Sequence, residues 1–164
     1  MMASDLLEKK VISLKLAQRI AIRRVLKEFA VLIPELVKAR TRLGGGLTGS
    51  LPSLKPSTIR SRTRYSTNLS SDTSPAESNL TGTGQLLDAM QAKITQNKIV
   101  VTVNTKKRKT ELSGAKGKLT NNEVRKYVED AGFNFFDLTD DERKELIDLA
   151  EKIIIDEIKK VFST

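Results

Sequence analysis

Few residues in this chain of 164 could carry out chemistry by themselves. It has no histidine and no cysteine. That excludes thiolate catalysis, Ser-His-Asp and Cys-His nucleophile systems, disulfide staples and the usual zinc sites. An oxygen-ligand metal site would need a motif, and none is present, so the expectation is no metal, no cofactor and no catalytic residue. Acidic clusters occur at Glu129-Asp130 and Asp140-Asp141-Glu142. General acid–base work needs carboxyls in a cleft, in environments that split their pKa values. Both clusters fall instead at the expected ends of helices. Ser53, Ser57 and Ser61 have lysine and arginine neighbours, as a Ser-Lys nucleophile requires, but the whole stretch is rich in serine and threonine, so that spacing carries little. Gly44-Gly45-Gly46 lacks the following Lys-Ser/Thr of a phosphate cradle, and Gly82-x-Gly84 is too short for a dinucleotide fingerprint.

Binding is better represented. Lys106-Lys107-Arg108-Lys109 is a compact basic cluster, and Arg60, Arg62 and Arg64 ahead of Tyr65 form a second. Positive charge within reach is all that phosphate contact demands. Neither cluster has interleaved aromatics for base stacking, nor a helix-turn-helix or zinc-finger signature. Phe133, Phe135 and Phe136 put three of the seven aromatic side chains within four positions. They suit a core plug beneath the last helix, or an anchor of which one ring enters a neighbouring subunit.

The charge is unevenly spread. The chain carries 29 basic and 20 acidic side chains, a net +9. Residues 1–42 hold +6, 43–80 hold +2, 81–118 hold +6, and 119–164 hold −5. A basic front and an acidic tail suit head-to-tail contact between copies as well as they suit nucleic acid.

The elements that must position these groups follow from periodicity. Residues 4 to about 42 read as a long amphipathic helix, capped by Ser4, with Val11, Leu14, Ile22, Val25, Phe29 and Leu32 at helical spacing. Leu16, Ala17 and Ile20 widen its apolar face, and Pro34 predicts a kink or restart. Residues 44–80 are rich in Ser, Thr, Gly and Pro and read as a long irregular arm, with one short helix near 56–62. Such an arm is a solvated linker, or it orders against a neighbour. A short helix capped by Thr83 follows, then a hairpin of Lys93–Gln96 with Lys98–Asn104. Residues 105–119 read as an exposed basic loop. Thr120-x-x-Glu123 is a capping box for a helix ending at Gly132, and Asn134-Phe135-Phe136 is a short strand or bridge. Thr139-x-x-Glu142 is a second capping box, opening a helix to about Phe162 with Leu146, Leu149, Ala150, Ile153, Ile154, Ile158 and Val161 on its buried face. The fold class is α+β: one domain over 1–164, long N-terminal and C-terminal helices packed on a small antiparallel sheet, with a long irregular arm.

Glu8, Lys9 and Lys10 follow Leu6 and Leu7 at once, so no signal-peptide core forms. No run approaches the ~18–20 apolar residues of a membrane span. The expectation is a soluble chain with no membrane partner.

Two stretches together resemble a known family. Leu51-Pro52-x-Leu54-x-Pro56-x-Thr58-Ile59-x-x-Arg62, followed by Leu80-Thr81-x-Thr83-Gly84-Gln85-Leu86, is similar to the middle of the Mu-like virion morphogenesis and tail-completion proteins of tailed phages. Tyr127 to Gly132, then Phe135-Phe136-Asp137-Leu138-Thr139-x-x-Glu142, resembles that family's C-terminal part. The likeness spans about residues 5–162. It departs at Asn134, where the family has arginine-proline before the aromatic, and over 105–126, which is longer than the usual connection.

The resemblance implies a non-enzymatic virion part, a head–tail connector or tail terminator at the neck, assembled in the host cytoplasm. Its partners would be copies of itself in a ring, hexameric or dodecameric, and the adjoining neck, connector and tail-tube proteins. Arg60, Arg62, Arg64, Lys106, Lys107, Arg108, Lys109, Phe135 and Phe136 are then the candidate contacts between subunits or with DNA passing through the lumen. A small basic nucleic-acid-binding protein is the alternative.

Overall fold

The computed structural model describes the backbone of residues 2–104 and 119–163, with side chains from Leu7 onward. In chain order the elements are helix α1 (Met2–Arg42), the two-residue strands β1 (Gly45–Gly46) and β2 (Gly49–Ser50), helix α2 (Pro56–Arg64), a 3-10 turn (Ser66–Asn68), helix α3 (Gln85–Asp88), strands β3 (Met90–Thr95) and β4 (Lys98–Val103), helix α4 (Asn121–Asp130) and helix α5 (Asp140–Phe162). The class is α+β, mostly helical with two small antiparallel sheets.

Helix α1 is 41 residues long, about 60 Å at 1.5 Å per residue. It starts at Met2, ahead of the expected Ser4 cap, and continues through Pro34 as one helix without a restart. A proline inside a helix costs about 3 kcal/mol. Packing beyond it offsets that cost: Val37 and Thr41 are fully buried, and Arg40 donates to the Phe135 and Asp137 carbonyls of a distant segment. Gly44, at φ +78°, ends the helix in the left-handed region that glycine tolerates, and its N–H donates to the Thr41 carbonyl.

The hairpin pairs Met90 with Val103, Ala92 with Val101 and Ile94 with Ile99. Strand β3 starts three residues earlier than periodicity indicated, because Met90 turns inward to the core. One face of the hairpin lies on α1. The core gathers Val37, Leu51, Leu86, Leu87, Met90 and Val103 around Phe135, whose ring is fully buried.

Both capping boxes form. Thr120 accepts from the Glu123 N–H and Thr139 from the Glu142 N–H, each at 3.2 Å, and each glutamate accepts the cap residue's own N–H in return. Gly132, at φ +88°, follows α4 as expected. Two local expectations are corrected. The cap of α3 is Gly84 at φ +71°, with no side-chain cap bond, not Thr83. Asn134-Phe135-Phe136 forms no strand; its backbone meets single donors, with the Asn134 carbonyl accepting from Leu47 N–H at 3.0 Å. Helix α5 packs along α1, which also lies on the hairpin.

The arm over 44–80 folds onto its own chain. Leu51 enters the core, and its N–H donates to the Gly44 carbonyl at 2.7 Å. Arg62 donates to the Glu77 carbonyl at 2.8 Å, Thr73 to Asn79 Oδ1 at 2.8 Å, and Ser78 to the Pro52 carbonyl. Asn79 and Thr81 are fully buried. Composition missed this because the arm is held by hydrogen bonds between polar groups, supplemented by only two leucines, Leu51 and Leu80.

Candidate functional site

The structure separates the residues that the sequence grouped. Arg60 and Arg64 lie one helical turn apart on the exposed side of α2. Arg62, between them, points the other way and is 5% exposed. Burial pushes its guanidinium pKa down, opposed in part by the Glu77 carboxylate. Arg62 is therefore a clamp inside the arm and, unlike Arg60 and Arg64, presents almost no surface to a neighbour or a lumen. Phe135 is likewise corrected: with no exposed surface it is the centre of the core, not an anchor for a neighbour. Phe136 is half-buried, edge-on to Phe135 at 5.9 Å, with the Arg125 guanidinium 4.6 Å from its ring centre. Lys106, Lys107, Arg108 and Lys109 lie outside the described residues.

A different region presents itself as the place of action. Helices α1 and α5 run antiparallel: Arg40 pairs with Glu142 at one end, Arg24 with Glu157 midway at 3.0 Å, and Lys10 lies 5.9 Å from the Phe162 ring at the other. Ala17 and Ala21 are buried at the seam, where small side chains let the helices approach closely. Helix α1 continues about 12 Å past the end of α5, eight residues from Lys10 back to Met2.

One partner helix cannot cover α1. Its N-terminal half leaves Val11, Ile12, Leu16, Ile20 and Ile22 between 42% and 59% exposed. On α5, Ile147 and Ile155 are 57% and 49% exposed. Two open grooves flank the seam. One, of about 310 Å³, is bordered by Leu16, Ile20 and Val161; the other, of about 300 Å³, by Val11, Leu14, Ile154 and Ile158. Apolar side chains that recur on an outward helix face, beyond the one packed stripe, mark a second contact. Burying one such side chain contributes roughly 1.5–3 kcal/mol, so leaving all of them wet is costly.

The sequence did expose the signal for this. Val11, Ile12, Leu16 and Ile20 spread around more of the helix circumference than a single face holds. Reading Leu16 and Ile20 as a wider buried face assigned them all to one contact, which was too few.

A cavity of about 680 Å³ lies between the arm and α4, lined by Leu54, Leu80, Tyr127, Val128, Phe133 and Arg62 among others. It holds no acid–base pair. Among the described residues no group of three or more acidic side chains is placed to hold a metal ion, and no helix is long and apolar enough to cross a membrane. The shifted carboxylates are engaged in hydrogen bonds and ion pairs. Ser70 and Arg42 hold Asp72 below its ordinary value, and Lys160 and Arg24 do the same for Glu157. The arrangement offers surfaces for association, built on a rigid pair of helices.

In comparisons with known proteins, no family model, no characterised protein and no solved structure matches this chain.

Proposed function

We propose that the chain is a structural subunit of a tailed-phage virion neck, a head–tail connector or tail-completion protein that assembles as a ring between the capsid portal and the tail. The observation that carries the reading is the α1/α5 pair, whose apolar side chains stand exposed on faces that no part of the described chain covers. Soluble monomers rarely expose such surfaces, and extended ones mark contacts with other proteins. The motif resemblance from Leu51 to Glu142 supplies the kind of assembly. In a ring, one surface of each copy meets a different surface of the next, and the contact repeats around a closed axis. The basic N-terminal part and acidic C-terminal part favour such an arrangement.

The test is a phage genome with an early stop codon in this reading frame. The reading expects full capsids and separate tails that fail to join, rescued by the chain supplied in trans. Normal, infectious particles would overturn it.

A further inference from the structure

The outward side of α1 is a mixed stripe. Ile12, Leu16, Arg19 and Arg23 follow one another at helical spacings of four, three and four residues, so they share one face. All four are exposed. From Lys9 to Lys27 the helix carries seven cations and no acid. The outward side of α5 is a second mixed stripe. Ile147, Glu151 and Ile155 lie one turn apart, with Asp148 beside them, and all four are exposed. From Asp140 to Glu151 this helix carries six acids against Arg143 and Lys144. Lys152 flanks the stripe on its later turn. Arg19, Arg23, Asp148 and Glu151 have no ion-pair partner among the described residues.

We infer that the occupant of the α1 stripe is a second copy of this chain, seated through its α5 stripe, so that Ile12 and Leu16 pack against Ile147 and Ile155 while Arg19 and Arg23 meet Asp148 and Glu151. The inference rests on the reading above, that the chain works as a repeated subunit, and it names the contact. Each stripe offers apolar side chains for the other's to pack on and carries the charge opposite to the other's. Nucleic acid would answer the arginines but leave Ile12 and Leu16 wet. An acidic membrane surface would take the α1 stripe and leave the acidic α5 stripe without a role.

The two stripes differ, so the contact is heterologous. A copy engaged through its α1 still offers its α5, and the next copy continues the series. Within each copy α1 already packs on α5. The assembly therefore alternates α1 and α5 along an unbroken belt of helices, closed as a ring when the rotation between copies divides the circle.

The chain has no cysteine, which permits a clean test. Two single variants, Leu16→Cys and Ile155→Cys, are purified separately, mixed at the concentration where the unaltered chain associates, and oxidised. The inference expects a linked dimer containing one of each variant, and little linkage in either variant alone. Linkage of Leu16→Cys to itself would mean a two-fold contact and would overturn the inference. Rings without any mixed linkage would also overturn it, while leaving the neck reading standing. A chain that stays monomeric up to the highest soluble concentration would overturn it as well; the neck reading would then be decided separately by the stop-codon particles.

A charge swap provides the second measurement. Arg19→Glu with Arg23→Glu should weaken self-association at least about tenfold by sedimentation, and Asp148→Arg with Glu151→Arg in the partner population should restore mixed association. Circular dichroism matching the unaltered chain shows that each variant folds. Unchanged association of the reversed α1 variant would overturn the proposed seat.

Discussion

Arg24 and Glu157 meet across the seam between α1 and α5, with Nη1 3.0 Å from Oε1. Lys160 reaches the same carboxylate oxygen at 2.6 Å from one turn further along α5. The carboxylate is mostly enclosed while Arg24 remains half exposed. Lys160 holds the carboxylate from within α5, and Arg24 ties it across the seam, linking the register of the two long helices at that point.

That relationship has a pH signature. Hydrogen bonds from Lys160 and Arg24 hold the Glu157 carboxyl below its ordinary value of 4.5, outweighing the opposing effect of burial. A depressed carboxylate stabilises the fold fully above its unfolded value, and the contribution is lost as pH falls toward the folded value. Glu157→Gln should therefore lower stability at neutral pH and flatten the acid limb below about pH 4.5. Thermal melts of both proteins from pH 3 to pH 7 check it. Parallel curves would show that Glu157 is not held by its partners.

The two neighbouring phenylalanines should behave differently. Phe135 is fully buried at the core centre, and Phe135→Ala should cost about 3–5 kcal/mol in urea unfolding. Phe136 is half-buried beneath Arg125, and Phe136→Ala should cost less, with part of the loss shared with an Arg125→Ala variant. Equal losses would contradict the placement of Phe135 alone at the centre.

Thr139 caps α5 through the Glu142 N–H, and Glu142 in turn pairs with Arg40 at the end of α1. Thr139→Ala should destabilise the protein by about 1 kcal/mol, measured by denaturant unfolding. Thr139→Ser should recover most of that, because the hydroxyl is what accepts the bond. A serine variant as weak as the alanine would point to the methyl group instead.

Surface substitutions should separate folding from assembly. Leu16 and Ile20 border an open groove and touch no core cluster. Leu16→Asp and Ile20→Asp should leave the monomer's melting temperature within about 2 °C, since surface changes usually stay near ±0.5 kcal/mol. The same variants should abolish self-association by sedimentation. A large loss of stability in both would mean that these side chains serve the monomer.

The elements announced by local chemistry were legible in advance. Thr120, Glu123, Thr139 and Glu142 stand at the spacing of two capping boxes, and both helices begin there. The β-branched run at Ile99–Val103 forms its strand, and Gly132 follows its helix. What escaped depends on distant partners. Pro34 does not interrupt α1, because Val37, Arg40 and Thr41 hold the following turns from outside the helix. The arm looked too polar to order, yet Arg62, Asn79 and Ser78 knit it to itself. Among the candidate contact residues, Arg60 and Arg64 reach the surface and Arg62 does not, because alternate positions on a short helix face opposite ways. The apolar excess on α1 was visible as residues, but only the position of α5 reveals which of them stay uncovered.

The central claim is that this chain works by fitting against copies of itself within a virion neck. The most direct measurement is a cryo-electron reconstruction of the particle made by the genome that encodes it, with side chains resolved at the junction of capsid and tail. The account expects a closed ring of this chain there, with α1 of each copy lying against α5 of the next. Particles joined and infectious with no density for the chain at the neck would contradict it.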